Sequence, residues 1–442
     1  MTLPGASLWN YAQSVIVGGC GLLSKRPTRY TGSSWPAYYK SAKGIALKAV
    51  DNKYYLDFSE FAIGCALHGY SPKIFRTRSF KKALSSPMTT LLSPYEPKLA
   101  RQLNLFLGHE RSWKFCRGGG EALALAIRYA RAISSSPQTI VCGYHGWHDW
   151  YISSALSKGD DLGKIFLSGL STSGIPIKYS GITFPVSLEE PEQLIGAIKV
   201  NKPGIIVFES ARYELISRQI VTTLNEFQAD GGILIADEVT SGLRFSSKLA
   251  CFEVGLDPDF IVLGKGLGSG YAISALGVNS RHHNLCQDCF ASSTHWTEQV
   301  GLAAACATIE SFSQWDEVYK KLECVGSSIR SAVIRGLQIS QIDYKINSLS
   351  TMISFQLDYP GYSSQEIKAL LGHIMLSEGI LFSTTIYPTL AHHHPAIQKY
   401  SRALERSLLK LKSLIDHEPQ VVVRLLRDLG HLENGFSRTQ RL

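Results

Sequence analysis

Charge is scarce in this sequence. Asp, Glu, Lys and Arg make up 18% of its 442 residues, below the usual share of about a quarter. A surface this poor in charge is expected to be covered, between domains or between subunits. The charge that remains leans basic, +9 overall. Lys and Arg nevertheless form no run interleaved with aromatics, so nucleic acid is not the expected partner. The excess suits a mildly basic protein with small anionic ligands. Long apolar runs are lacking too, and no basic segment precedes the one N-terminal apolar stretch, around Val15–Leu23. Neither a signal peptide nor a membrane span is expected, and the cytoplasm is the default compartment. Internal repeats and low-complexity tracts are missing.

Metal-ligand spacing is also poorly represented. Nine cysteines occur, and only Cys286 and Cys289 form a C-x-x-C. No second pair follows, so a zinc site is not expected. Most of the other cysteines lie in apolar surroundings, such as Cys116 and Cys142, and read as buried thiols of a reducing compartment. The run His392-His393-His394 would fan its side chains apart in any regular backbone, and a surface or turn cluster is expected there.

Three apolar runs in the middle of the chain predict buried strands of a parallel sheet: Gly204–Phe208, Ile233–Ala236 and Phe260–Leu263. Thr139–Cys142 is a fourth. Ala122, Leu125, Ala126, Tyr129, Ala130 and Ile133 mark one face of a helix beginning at Gly120, and Leu302–Phe312 suggests another. Strand and helix in alternation predict an α/β fold. Ala46–Asp57 alternates about Asp51-Asn52, as a hairpin would, and Thr351–Leu357 is a strand candidate near the end. A large central domain over 76–320 follows, with a small domain built from 1–75 and 321–442. The polar tail Asn434–Leu442 is expected to fray.

Four segments could carry chemistry. Arg117-Gly118-Gly119-Gly120-Glu121 opens the helix, where glycines and free N–H groups suit a phosphate; a flexible turn would read the same. Tyr144-His145-Gly146-Trp147-His148 follows a strand, where an aromatic can stack on a flat ligand or merely pack. Asp237 and Glu238 end an apolar strand, and a buried carboxylate there needs a cationic partner such as a protonated pyridine nitrogen; a helix cap is the plainer reading. Lys265 stands among Gly264, Gly266, Gly268 and Gly270 after a strand, where desolvation would make its amine a nucleophile, unless it snorkels to the surface. Phosphate cradle, stacking ring, carboxylate and lysine together are what pyridoxal phosphate (PLP) requires. The G-x-G-x-x-G fingerprint of nicotinamide binding is missing.

With these residues in place, the sequence resembles the class III aminotransferases of PLP fold type I, on the branch of glutamate-1-semialdehyde aminomutase and its aminotransferase-like relatives. The resemblance covers nearly the whole chain, through Gly18-Gly19, Leu23–Pro27, Lys43-Gly44, Gly118–Ala122, Tyr144-His145-Gly146, Glu209, Asp237-Glu238-Val239, Leu263-Gly264-Lys265 and Thr294. It implies the fold type I architecture, a large domain with a mainly parallel sheet beside a small α/β domain from both chain ends.

Roles follow by resemblance. Gly119 and Gly120 match the positions that meet the cofactor phosphate, Tyr144 and Val239 those on the two ring faces, with His145 beside them. Asp237 matches the pyridine-nitrogen carboxylate, Glu209 a glutamate on the cofactor's hydroxyl side, and Lys265 the Schiff-base lysine. Thr294 matches a residue reaching the phosphate of a neighbouring subunit, which implies a homodimer with shared active sites. Two departures stand out. The family usually has Ser or Thr at Gly120, so phosphate binding is expected to lean on backbone and Thr294. The Gly-Asn-Pro turn after the threonine is replaced by His295–Gln299, as in a subgroup of aminotransferase-like relatives. Arg212 is the foremost candidate for a substrate carboxylate, ahead of Arg26 and Arg117. The expected activity is amino transfer between an amino donor and a carbonyl compound, with intramolecular transfer by an aminomutase, or a degenerate partner subunit, as alternatives.

Overall fold

A computed structural model describes residues 5–156 and 171–432; the predicted frayed tail, Asn434–Leu442, lies outside them. Residues up to Pro72 join those from Lys320 onward in one compact unit, and Lys73–Tyr319 forms another. In the first unit, strands β1 (Tyr39–Lys43), β2 (Ala46–Ala49) and β3 (Tyr54–Phe58) make an antiparallel meander. The Asp51 carboxylate accepts the Lys53 N–H at 3.1 Å and sets the hairpin turn, where Asn52 takes φ 68°.

The second unit holds the sheet that positions the site. Its strands are β4 (Arg111–Cys116), β5 (Thr139–Cys142), β6 (Thr183–Pro185), β7 (Ile205–Phe208), β8 (Ile233–Asp237), β9 (Phe260–Leu263) and β10 (Ser274–Asn279). They lie in the order β4-β10-β9-β8-β7-β5-β6. Every neighbouring pair is parallel except those involving β10, which runs against both β4 and β9. The carboxyl ends of β4, β5, β7, β8 and β9 therefore share one edge. β5, β7, β8 and β9 are wholly buried, which explains their apolar runs without polar alternation. The helix Gly119–Ile133 lays Ala122, Leu125, Ala126, Tyr129 and Ala130 on the core, with Ile133 packed at its margin. The Ala-rich stretch forms the helix Gln299–Glu310, also buried.

The expectation missed β4, β6 and β10. In β4 the polar Arg111 and Lys114 broke the apolar pattern, yet Arg111 is buried because its guanidinium donates to the Pro258 carbonyl at 2.9 Å and to Asp257. β10 contains Gly277, normally a weak strand former. A Cβ there would stand 2.9 Å from both Trp113 and Ile261, so the neighbouring strands' side chains need the space.

In the first unit the chain ends meet. β13 (Ile380–Phe382) adds in parallel to β3, while β11 (Asp343–Ile346) and β14 (Thr385–Ile386) both pair antiparallel with β12 (Ile353–Asp358). Phe58 stacks on Tyr400 at 4.2 Å in its core. The histidine run corrects an expectation. His392 is buried, not a surface residue: Nδ1 lies 2.9 Å from the Thr389 hydroxyl and Nε2 is 3.1 Å from the Asp57 carbonyl. Burial lowers its pKa to about 4. His393 instead caps the helix His394–His417, accepting the Ala396 N–H.

Candidate active site

Asp237 is the last residue of β8 and is buried. Its Oδ1 accepts the Val239 N–H at 3.0 Å, and its Oδ2 lies 2.8 Å from His145 Nδ1. A buried carboxylate is costly without such partners. His145 comes from the loop after β5 and is itself fully buried; its Nε2 has no hydrogen-bond partner among the described residues. Glu238, adjacent in sequence, does other work. It is buried against the chain that follows, accepting from the Ser241 hydroxyl at 2.5 Å and from the N–H groups of Ala250 at 3.0 Å and Cys251 at 2.7 Å. Desolvation raises its pKa. The two carboxylates thus split between site and scaffold.

Glu209 follows β7 and links two neighbours. Its Oε2 accepts the Tyr144 N–H at 3.0 Å, and its Oε1 stands 3.5 Å from the Arg212 guanidinium. A side chain at Gly143 would collide here: a Cβ would lie 2.6 Å from Glu209 Oε2, and the backbone has φ 132°. Tyr144 is half-buried and meets Tyr151 edge-on at 6.0 Å. Burial first, then the charges of Asp237 and Glu209, raise its hydroxyl pKa. Val239 packs against two glycines: a Cβ on Gly119 would come within 2.8 Å of it, and one on Gly264 within 3.3 Å.

Lys265 begins a single helical turn after β9 with φ 41°, a strained conformation for a residue with a side chain. Its Nζ donates to the Thr240 hydroxyl oxygen at 2.8 Å. The same oxygen lies 3.4 Å from Arg212 NH1. Thr240 is the residue sequence reasoning overlooked; its only signal was its place directly after Asp237-Glu238-Val239. Polar contacts thus connect Lys265, Thr240, Arg212, Glu209 and Tyr144 in one chain.

The first turn of the helix Gly119–Ile133 brings Gly119 and Gly120 to the same sheet edge, with Gly118 as N-cap. N–H groups there have no acceptor within the helix. Glu121 turns back to accept the N–H groups of Arg117 at 2.9 Å and Gly118 at 3.4 Å. Ser274, at the start of β10, donates its hydroxyl to the Gly118 carbonyl at 2.9 Å.

The three arginines are placed differently. Arg212 is at the site, on Glu209 and Thr240. Arg117 is committed to backbone: it donates to the carbonyls of His295 at 2.6 Å, Trp296 at 2.7 Å, Glu298 at 2.7 Å and Ala272 at 3.2 Å. It braces the turn Thr294–Thr297 and leaves little for a substrate. Thr294 opens that turn and is exposed. Arg26 belongs to the other compact unit.

A nucleophilic amine, a buried carboxylate, an aromatic ring and a glycine-lined helix terminus at one sheet edge are what a phosphorylated pyridine aldehyde requires. Residues 30–390 match the family model Aminotransferase class-III, and the chain belongs to that family. It is accordingly a PLP-dependent enzyme of the aminotransferase or aminomutase kind. Glutamate-1-semialdehyde 2,1-aminomutase of Thermus thermophilus is 25% identical over 398 residues, covering 84% of this chain and 92% of the relative. 3-Aminobutyryl-CoA aminotransferase of Cloacimonas acidaminovorans is 25% identical over 368 residues, covering 80% and 84%. Among solved structures, the FumI protein of Sphingopyxis sp. MTA144, in its PLP form, aligns with a TM-score of 0.82 at 21% identity, over 94% of this chain and 98% of that one. A glutamate-1-semialdehyde aminomutase of Pseudomonas aeruginosa aligns at 0.78 and 16% identity, over 92% and 94%. The fold type I architecture is shared. The residues present fit the cofactor: an aldehyde would meet Lys265, a pyridine nitrogen Asp237, and a phosphate the Gly119–Gly120 turn.

Proposed function

We propose that the chain is an aminotransferase that moves an amino group from a small amino donor to a carbonyl acceptor. The observation that carries this reading is the Lys265 amine, 2.8 Å from the Thr240 hydroxyl and joined through Arg212 and Glu209 to Tyr144. When bound, PLP supplies an electron sink for the charge left as the donor loses its α-proton. The chain's residues do the rest. Lys265 would hold the cofactor aldehyde. Its Nζ, kept in position by Thr240, would take the α-proton and later deliver it. Asp237, fixed by His145 and the Val239 N–H, would hold the pyridine nitrogen. Tyr144 and Val239 would enclose the ring, and Glu209 anchors Tyr144 through its N–H. Arg212 grips a substrate carboxylate by sharing its guanidinium with Glu209.

The names of several relatives support intramolecular transfer as a second reading. An aminomutase would convert a lone aminoaldehyde substrate without an acceptor, whereas a transferase would stop after one half-reaction. The exposed Thr294, braced by Arg117, supports a homodimer in which each subunit completes the other's phosphate site. Buried thiols such as Cys116, Cys142 and Cys251 support a reducing compartment such as the cytoplasm. No helix among the described residues is long and apolar enough to cross a membrane.

The test is the visible spectrum of the purified protein with PLP. A yellow band that borohydride bleaches, with the label on Lys265, is expected, and Lys265→Ala should not form it. A wild-type protein that gains no band with added PLP would overturn the reading and favour a degenerate subunit.

A further inference from the structure

Gly120 lacks the hydroxyl expected at its position, but the space is filled. A Cβ built on Gly120 would stand 3.1 Å from both Cε1 and Nδ1 of His148. An imidazole thus sits against the first turn of the helix Gly119–Ile133, where a serine or threonine side chain would otherwise project. His148 Nδ1 is shielded from solvent and has no hydrogen-bond partner among the described residues. A buried polar atom without a partner is destabilising and calls for one. The ring stacks on Trp147 with centroids 4.6 Å apart and planes inclined by 22°. The loop that carries it approaches the helix closely. A Cβ on Gly146, whose φ is 98°, would stand 3.1 Å from the Gly120 Cα and 3.9 Å from His148 Nδ1. Glycine at both positions is what lets the imidazole reach the helix terminus.

We propose that His148 donates from Nδ1 to the cofactor phosphate, replacing the hydroxyl that Gly120 lacks. The proposal rests on the PLP reading above. It makes the phosphate site a joint product of the helix terminus and the loop after β5. Burial lowers the His148 pKa, against the charges of Glu121 and Asp149, and a phosphate acceptor favours the form with a proton on Nδ1. Phosphate also satisfies the orphaned nitrogen, so the contact forms only when the cofactor is in place.

The experiment is a titration of the full-length apoprotein with PLP and, separately, with pyridoxal, which has the aldehyde and ring but no phosphate. His148→Ala should raise the Kd for PLP about tenfold or more, as loss of a hydrogen bond to a charged group does, and leave the Kd for pyridoxal unchanged. Adding Gly120→Ser to His148→Ala places a hydroxyl in the vacated space and should recover most of the affinity for PLP. Gly120→Ser alone should weaken it, because the new Cβ would crowd the His148 ring. Thermal melts of the apoproteins separate misfolding from binding. The proposal is overturned if His148→Ala changes the Kd for PLP less than about twofold, if PLP and pyridoxal weaken equally, or if the added serine restores nothing. A wild-type protein that takes up no PLP on Lys265 would instead sink the cofactor reading, and the same titration reads that first.

Discussion

Thr240 holds two cationic side chains on one oxygen, and the consequences of that contact are local. Its lone pairs face Lys265 and Arg212, so a hydroxyl is needed and the methyl is not. Thr240→Ser should keep near-normal turnover. Thr240→Val keeps the shape but removes the acceptor that Lys265 and Arg212 share, and kcat should fall about tenfold, the rate equivalent of one lost hydrogen bond. Single-turnover rates would show whether the loss is in proton transfer. The charged and glycine residues of this site were legible because they are chemically unusual where they stand: Lys265 among glycines, Asp237 on an apolar run. Thr240 was not, because a threonine after a strand is ordinary and only the folded chain puts it under an amine. Arg117 shows the converse. Beside the glycine turn it read as a ligand, yet its guanidinium is occupied by backbone carbonyls that no local pattern could foretell.

Among the elements, the buried parallel strands were easiest to read, since both of their faces are covered and their sequence is continuously apolar. β5 and β9 match the expected spans, and β7 and β8 differ by one residue. β4 and β10 were hidden by polar or flexible residues whose reasons are tertiary: Arg111 is neutralised by Asp257 and Pro258, and Gly277 makes room for Trp113. The second of these is testable. Gly277→Val supplies a better strand former but forces a Cβ to 2.9 Å from Trp113 and Ile261. Overpacking should win over propensity and destabilise the protein by about 1–3 kcal/mol, measured by chemical denaturation. A gain in stability would show that the two side chains can swing aside.

For the whole molecule, acid should be the more damaging extreme over the mildly acidic range. His392 is buried and His68 half-buried, and each has its pKa lowered to about 4 by desolvation, against about 6.5 in an unfolded chain. Between those values the unfolded state binds protons that the folded state refuses, so stability falls as pH drops from about 6.5 to about 4. The loss has a ceiling of roughly 3 kcal/mol per histidine. His392→Gln should lower stability at pH 7, through the contacts to Thr389 and Asp57, and flatten the decline below about 6.5. Denaturant midpoints across that range would reveal it, and an unchanged slope would mean that His392 takes up its proton in the folded state.

The reversed strand β10 has a mechanical meaning as well. The chain leaves β9 through the helical turn that carries Lys265 and returns antiparallel beside it as β10, which begins at Ser274, whose hydroxyl grips the Gly118 carbonyl. Lys265 and the start of the helix Gly119–Ile133, the proposed anchors of aldehyde and phosphate, are thereby gauged against each other like the jaws of a caliper. The antiparallel pairing of β9 with β10 and that one hydrogen bond hold the spacing. An amine moved outward by one atom, as in Lys265→Cys after aminopropylation, should therefore bind PLP with a strained, shifted absorbance, because the jaws cannot widen to suit it.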